Sequence, residues 1–120
     1  MKISNKNLNP QIKKQVYRIF YQSVAAVKDE EEARELLEAL MSRVEILAIA
    51  KRLAIAVFLD KGHSYDHIKR TLRVSSATIA GVAENLQSPG IQKAIERIRA
   101  DEWAEKWSRK IVGWWKRVGG

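Results

Sequence analysis

One segment constrains the fold more than any other. Between Ser42 and Lys61 the apolar residues Ile46, Leu47, Ile49, Leu53, Ile55, Val57, Phe58 and Leu59 cover nearly the whole circumference of a helix at 3.6 residues per turn. Ser42, with Glu45 three residues on, predicts a capping box at its start, and Gly62 predicts its stop. A helix apolar all round needs neighbours all round. Packing by the two preceding helices supplies them in one arrangement, and a second copy of the chain in an intertwined homodimer supplies them in the other.

The remaining segments also read as helix, because no stretch alternates apolar and polar residues over a strand's length between turn signals. The expected fold class is therefore all-α. Asn9 and Pro10 predict a start, cap then proline, for a first helix ending near Lys28. Its stripe is Ile12, Val16, Ile19, Phe20, Val24 and Val27, with Lys13, Lys14 and Arg18 off it. Asp29 predicts the cap of a second helix with acids in its first turn and Leu36, Leu37, Leu40 and Met41 on its apolar face. After Gly62, Ser64 caps a short helix with Ile68 and Leu72. A tight connection through Arg73, Val74 and Ser75 leads to another helix, starting at Ser76 or Ala77, with Ile79, Val82 and Leu86 inward.

Ser88, Pro89 and Gly90 are the best linker signal, so two regions are expected: residues 1–86, a helical body that carries the function-bearing motif described below, and residues 87–120, a Trp-rich basic helical arm. In the arm, Ile91, Ile95 and Ile98 share one face, while Trp103, Trp107, Ile111, Trp114 and Val118 lie on nearly the opposite one. The second stripe is expected to pack on the body or on a partner subunit. Nucleic-acid contact and membrane-surface contact are its alternatives, and the roles of Trp103, Trp107, Trp114 and Trp115 stay open.

The 120 residues contain no cysteine, which excludes disulfide scaffolds, thiol nucleophiles and zinc fingers and fits a cytoplasmic protein. Met1 to Pro10 has no apolar run of signal-peptide type, and Lys51 and Arg52 interrupt the apolar stretch, so neither export nor a membrane span is expected. The net charge of +8 is unevenly spread. Residues 1–28 carry six Lys/Arg and no acid, 29–41 one against six, 42–61 four against two, 62–86 three against two, and 87–120 eight against four. Such an excess attracts polyanions and says little about fold.

The function-bearing motif is the unit at 65–86. With Tyr65 as its first position, Ile68, Leu72, Val74, Ile79 and Val82 fall where a helix-turn-helix needs apolar residues to pin two helices at a steep angle. Lys69 stands where a small residue is usual. Arg73 stands where glycine usually takes a left-handed turn, a conformation costing other residues on the order of 1 kcal/mol. The bland alternative is a helical hairpin with no DNA role. As a DNA-binding unit it offers phosphate contacts from Lys69, Arg70 and Arg73 and from Ser75, Ser76 and Thr78 at the second helix's start. The positions facing base edges are Ser76, Ala77, Ala80, Gly81 and Glu84. None makes the bidentate Arg–guanine or Asn/Gln–adenine pairing, so weak sequence preference is expected. His63 and His67 are four apart but lack a third ligand at suitable spacing, and a surface or capping role is expected, with no metal. No nucleophile, phosphate loop or metal cluster points to an enzyme.

The stretch AIAKRLAIAVFLDKGHSYDHIKRTLRVSSATIAGVAENL resembles the Trp repressor-like family, in its long apolar helix with AKRL, its glycine stop, SY opening a short helix and S-x-ATI opening the recognition helix. The resemblance covers about residues 36–86. It implies an interlocked homodimer that presents two recognition helices to double-stranded DNA and acts in transcriptional control, as a repressor. It also accommodates Lys69. The family's corepressor site implies Arg52 as a ligand contact, but the second arginine of that site aligns with Gly81. Losing that guanidinium removes a stacking plane and a charge, so tryptophan is not expected as corepressor, and Arg52 reads rather as a solvent-reaching arginine on a buried helix. The competing function is a protein–protein interaction module that keeps the helix-turn-helix as a scaffold, with the Trp-rich arm touching a partner or membrane surface.

Overall fold

The computed structural model describes residues 8–102. All its regular structure is helical: α1 (Pro10–Ala25), α2 (Glu30–Leu40), α3 (Arg43–Asp60), α4 (Tyr65–Leu72), α5 (Ser76–Glu84) and α6, residues 89–102. The chain divides into two compact units, one through Ile46 and one from Leu47 onward.

In the first unit, local polar chemistry sets the helix ends. Asn9 accepts from the Gln11 amide at 2.8 Å, with Pro10 as the first helical residue. α1 ends at Ala25, three residues before the expected Lys28. The backbone must straighten to φ −150°, ψ 177° at Asp29, whose carboxylate caps α2 by accepting from the Glu32 amide at 2.9 Å. The expected capping box of α3 is formed in both directions: Glu45 N–H donates to Ser42 Oγ at 3.1 Å, and Ser42 N–H donates to Glu45 Oε1 at 2.8 Å. The apolar stripe of α1 lies exposed throughout, with no buried residue on the helix, and Ile19 is 64% exposed.

The second unit holds the core. Ile55 and Ala56 of α3, Ile68 of α4, Ile79 and Val82 of α5 and Ile95 of α6 are buried together, with Phe58, Leu59, Leu72, Val74, Leu86 and Ile91 packed against them. α3 ends in a Schellman-type closure: Gly62 takes φ 84°, and His63 N–H donates to the Phe58 carbonyl at 3.1 Å. Toward its start α3 is open, with Val44 78% and Leu47 55% exposed. α5 ends at Glu84 and leaves Leu86 in the following turn, where its carbonyl accepts from Gln92 Nε2 of α6 at 2.7 Å. α6 is also tied to the end of α3 through a two-pronged Arg99–Asp60 ion pair and through Lys61–Glu102 at 2.7 Å. Among the described residues, no helix is long and apolar enough to cross a membrane. Trp103, Trp107, Trp114 and Trp115 lie outside the described residues.

The capping box makes a pH-dependent contribution. Hydrogen bonds from the backbone and side chain of Ser42 hold the Glu45 carboxyl below its ordinary value. Its contribution is present above the usual carboxylate range and is lost as pH falls through the depressed value. Titration of Glu45 by carboxyl NMR in the Ser42→Ala variant is expected to show that value rising toward the ordinary one; an unchanged value contradicts the assignment.

Candidate nucleic-acid interface

The sequence between Ser64 and Glu84 builds two short helices around a three-residue connection, and the polar residues define each end. Ser64 Oγ accepts from the His67 amide at 3.1 Å and starts α4. α4 closes at Arg73, whose N–H donates to the Lys69 carbonyl at 2.9 Å while its own backbone turns left-handed, φ 55°, ψ 54°. Arg73 is the one non-glycine residue with positive φ among the described residues, so the turn expected from the motif is made without glycine. Two residues on, Ser75 in extended conformation caps α5: its Oγ accepts from the Thr78 amide at 3.1 Å and lies 2.9 Å from Thr78 Oγ1.

The five positions that should pin the helices do so. Ile68, Ile79 and Val82 are buried, and Leu72 and Val74 pack against the same core. With that face spent on packing, the residues expected to meet DNA are outward: Lys69, Arg70, Arg73, Ser75, Ser76, Ala77, Thr78, Ala80 and Gly81 are all exposed. Ser75 and Thr78 spend hydroxyl capacity on the cap, leaving Ser76 as the freer hydroxyl at the start of α5.

Lys69, Arg70 and Arg73 share an open cleft of about 410 Å³ with Asp66 and Val74. Asp66 pairs with Arg70 at 3.2 Å on the surface of α4, leaving Lys69 and Arg73 as the cations there without an ion pair among the described residues. A pocket with that balance attracts a phosphate oxygen. One further cation was not apparent from the motif. Lys51, on α3, donates from Nζ to the Arg73 carbonyl at 3.5 Å, and no signal within the twenty-residue unit points to a residue so far upstream.

A second cavity, of about 490 Å³, opens beside α5. Arg52, Gly81 and Asn85 border it, with Ile49, Leu53 and Ile91 among its apolar walls. A Cβ at Gly81 would meet nothing within 4 Å, and with glycine there Arg52 is the one cation of the lining. His63 and His67 stack on each other at 4.7 Å over the end of α3, where Phe58 stacks on His67 at 5.9 Å and meets His63 tilted at 5.1 Å. Among the described residues, no three His, Cys, Asp or Glu side chains cluster in the manner of a metal site.

These features define a helix-turn-helix class of all-helical protein. Residues 15–98 match the family described as Trp repressor protein. The chain is 30% identical over 84 residues to the "Uncharacterized protein YerC" of Bacillus subtilis (strain 168), a match spanning 68% of this chain and 81% of that protein. Among solved structures it resembles "a TrpR like protein from Eubacterium eligens ATCC 27750", with a TM-score of 0.68 and 28% identity, covering 75% of this chain and 95% of the other. The chain belongs to the Trp repressor family, a family of regulatory DNA-binding proteins.

The cap of α5 gives a direct test of the local geometry. Ser75→Ala is expected to lower unfolding stability by about 1 kcal/mol, measured by urea denaturation. A change within error would mean that the Ser75 hydroxyl does not carry the helix start.

Proposed function

We propose that this protein binds double-stranded DNA through α4 and α5 and acts as a transcriptional repressor in the cytoplasm. One observation carries the reading. The helix-turn-helix buries Ile68, Ile79 and Val82 on one side and leaves Lys69, Arg73 and the start of α5 open on the other. Lys69 and Arg73 supply phosphate contacts, with Arg70 in reserve through an exposed ion pair that exchanges readily with a phosphate. Ser76, Ala77, Ala80 and Gly81 meet base edges with a hydroxyl, methyl groups and bare backbone. That surface supports thymine-methyl contact and water-bridged readout, and the latter is the handling documented for the Trp repressor–operator complex. Sequence preference is correspondingly modest and rests partly on DNA shape.

The test is selection of duplexes from a random pool, followed by titration of the best duplex and a scrambled one across salt. A specificity ratio below about 10⁵ is expected; a higher ratio contradicts the weak-readout reading. Lys69→Ala is expected to weaken both duplexes alike and to reduce the salt slope by about one unit. Binding without salt dependence would favour the second reading, an interaction module that keeps the helix-turn-helix as scaffold. The support for that alternative is the outward face of α5, which carries no Arg, Asn or Gln at the base-reading positions.

The working form in this proposal is a homodimer. α1 is a sixteen-residue amphipathic helix without a buried side chain, and Val44, Leu47 and Ile49 of α3 are more than half exposed. Apolar surface on that scale is what subunit association removes from water. Analytical ultracentrifugation is expected to give about twice the 13.7 kDa chain mass, and Ile19→Glu is expected to shift it toward one. A monomer at all concentrations contradicts the dimer. Tryptophan is not the corepressor in this reading, because the cavity beside α5 offers Arg52 alone, with Gly81 in the second arginine's place. The same duplex titration repeated with tryptophan is expected to be unchanged.

A further inference from the structure

The left-handed conformation at Arg73 is costly for a residue with a Cβ, and it persists only where the surroundings fix it. Two contacts do so. The Arg73 N–H is held by the Lys69 carbonyl at 2.9 Å, and the Arg73 carbonyl accepts from Lys51 Nζ at 3.5 Å. Lys51 reaches the turn from α3, twenty-two residues earlier in the chain. Its side chain is half-buried, and it forms no ion pair among the described residues. An ammonium aimed at a backbone carbonyl beside Lys69 and Arg73 runs against the local electrostatics, since those cations repel it. The compensating gain is the fixing of one peptide plane. That plane matters because Ser75, two residues on, caps α5, so the conformation at Arg73 sets where the recognition helix starts.

We propose that Lys51 is a positioning residue of the DNA-binding unit, clipping the Arg73 carbonyl and so fixing the start of α5 against α3. Its consequence for affinity rests on the DNA-binding reading above; its consequence for the turn does not.

The experiment uses the full chain in five forms: unchanged, Lys51→Met, Lys51→Arg, Arg73→Gly, and Lys51→Met together with Arg73→Gly. Methionine keeps the length and apolar stem of the lysine and removes the ammonium, while glycine takes the left-handed turn without strain. Thermal unfolding is followed without DNA, and affinity for one selected duplex is measured across salt. With Arg73 present, Lys51→Met is expected to lower the melting temperature and to weaken duplex binding about three- to tenfold, with the salt slope unchanged. In the chain carrying Arg73→Gly, which keeps the carbonyl but no longer strains the turn, the same substitution is expected to cost less of both. Lys51→Arg, which keeps a donor, is expected to recover most of both properties.

An unchanged melting temperature for Lys51→Met overturns the proposal, as does an equal loss in both backgrounds. A salt slope reduced by about one in both backgrounds makes Lys51 a direct phosphate contact and also overturns it. If no form binds duplex in a salt-dependent way, the DNA-binding reading fails, and the melting comparison alone still decides whether Lys51 holds the turn.

Discussion

The second unit depends on the meeting of four isoleucines, each from a different helix: Ile55 from α3, Ile68 from α4, Ile79 from α5 and Ile95 from α6. Each is fully buried or nearly so, and truncating a side chain of that kind costs about 2–5 kcal/mol, a large share of a small domain's total stability of about 5–15 kcal/mol. The connections between these helices are three or four residues long and the polar ties between them lie at the surface, so their relative placement rests chiefly on this contact. The apolar contact therefore decides which way α4 and α5 face, and by spending Ile68, Ile79 and Val82 inward it leaves the basic and hydroxyl-bearing residues outward. The candidate DNA surface is the complement of the core.

The electrostatics are local in the same way. The chain carries +8, but residues 62–86 contribute only +1 of it. What counts for a phosphate is therefore the arrangement of a few groups: Arg70 is engaged with Asp66, while Lys69 and Arg73 stand in the open cleft. Elsewhere the charges work structurally. The Arg99–Asp60 and Lys61–Glu102 pairs fasten α6 to the end of α3. The hydrogen bond that Arg99 donates to Asp60 raises the guanidinium further above its already high value, although surface pairs of this kind contribute little to stability.

Much of this was legible in the sequence because the deciding signals are local. The helix starts follow from Asn9, Asp29, Ser42 and Ser64, each of which caps with the side chain expected of it, whereas the cap of α5 falls on Ser75, a residue expected in the connection; the five apolar positions of the helix-turn-helix all reach the core. The end of α1 was misplaced because nothing in Ala26 or Val27 forbids helix; the stop comes from the extended backbone that Asp29 needs. The apolar circumference of α3 was legible, but what covers it was not: Ile55 and Ala56 are buried within the chain, whereas Val44, Leu47 and Ile49 are open. Lys51 was read as an interruption of an apolar run. Its contact with Arg73 depends on how α3 lies against the turn, which no spacing rule within a twenty-residue motif encodes.

The central claim is that the outward side of α4 and α5 is the surface that meets DNA. Backbone amide NMR during titration with a selected duplex tests it most directly. The largest shifts are expected on Lys69 to Gly81, diminishing as salt is raised. Shifts concentrated on α1, or none at salt concentrations low enough for nonspecific binding, would contradict it.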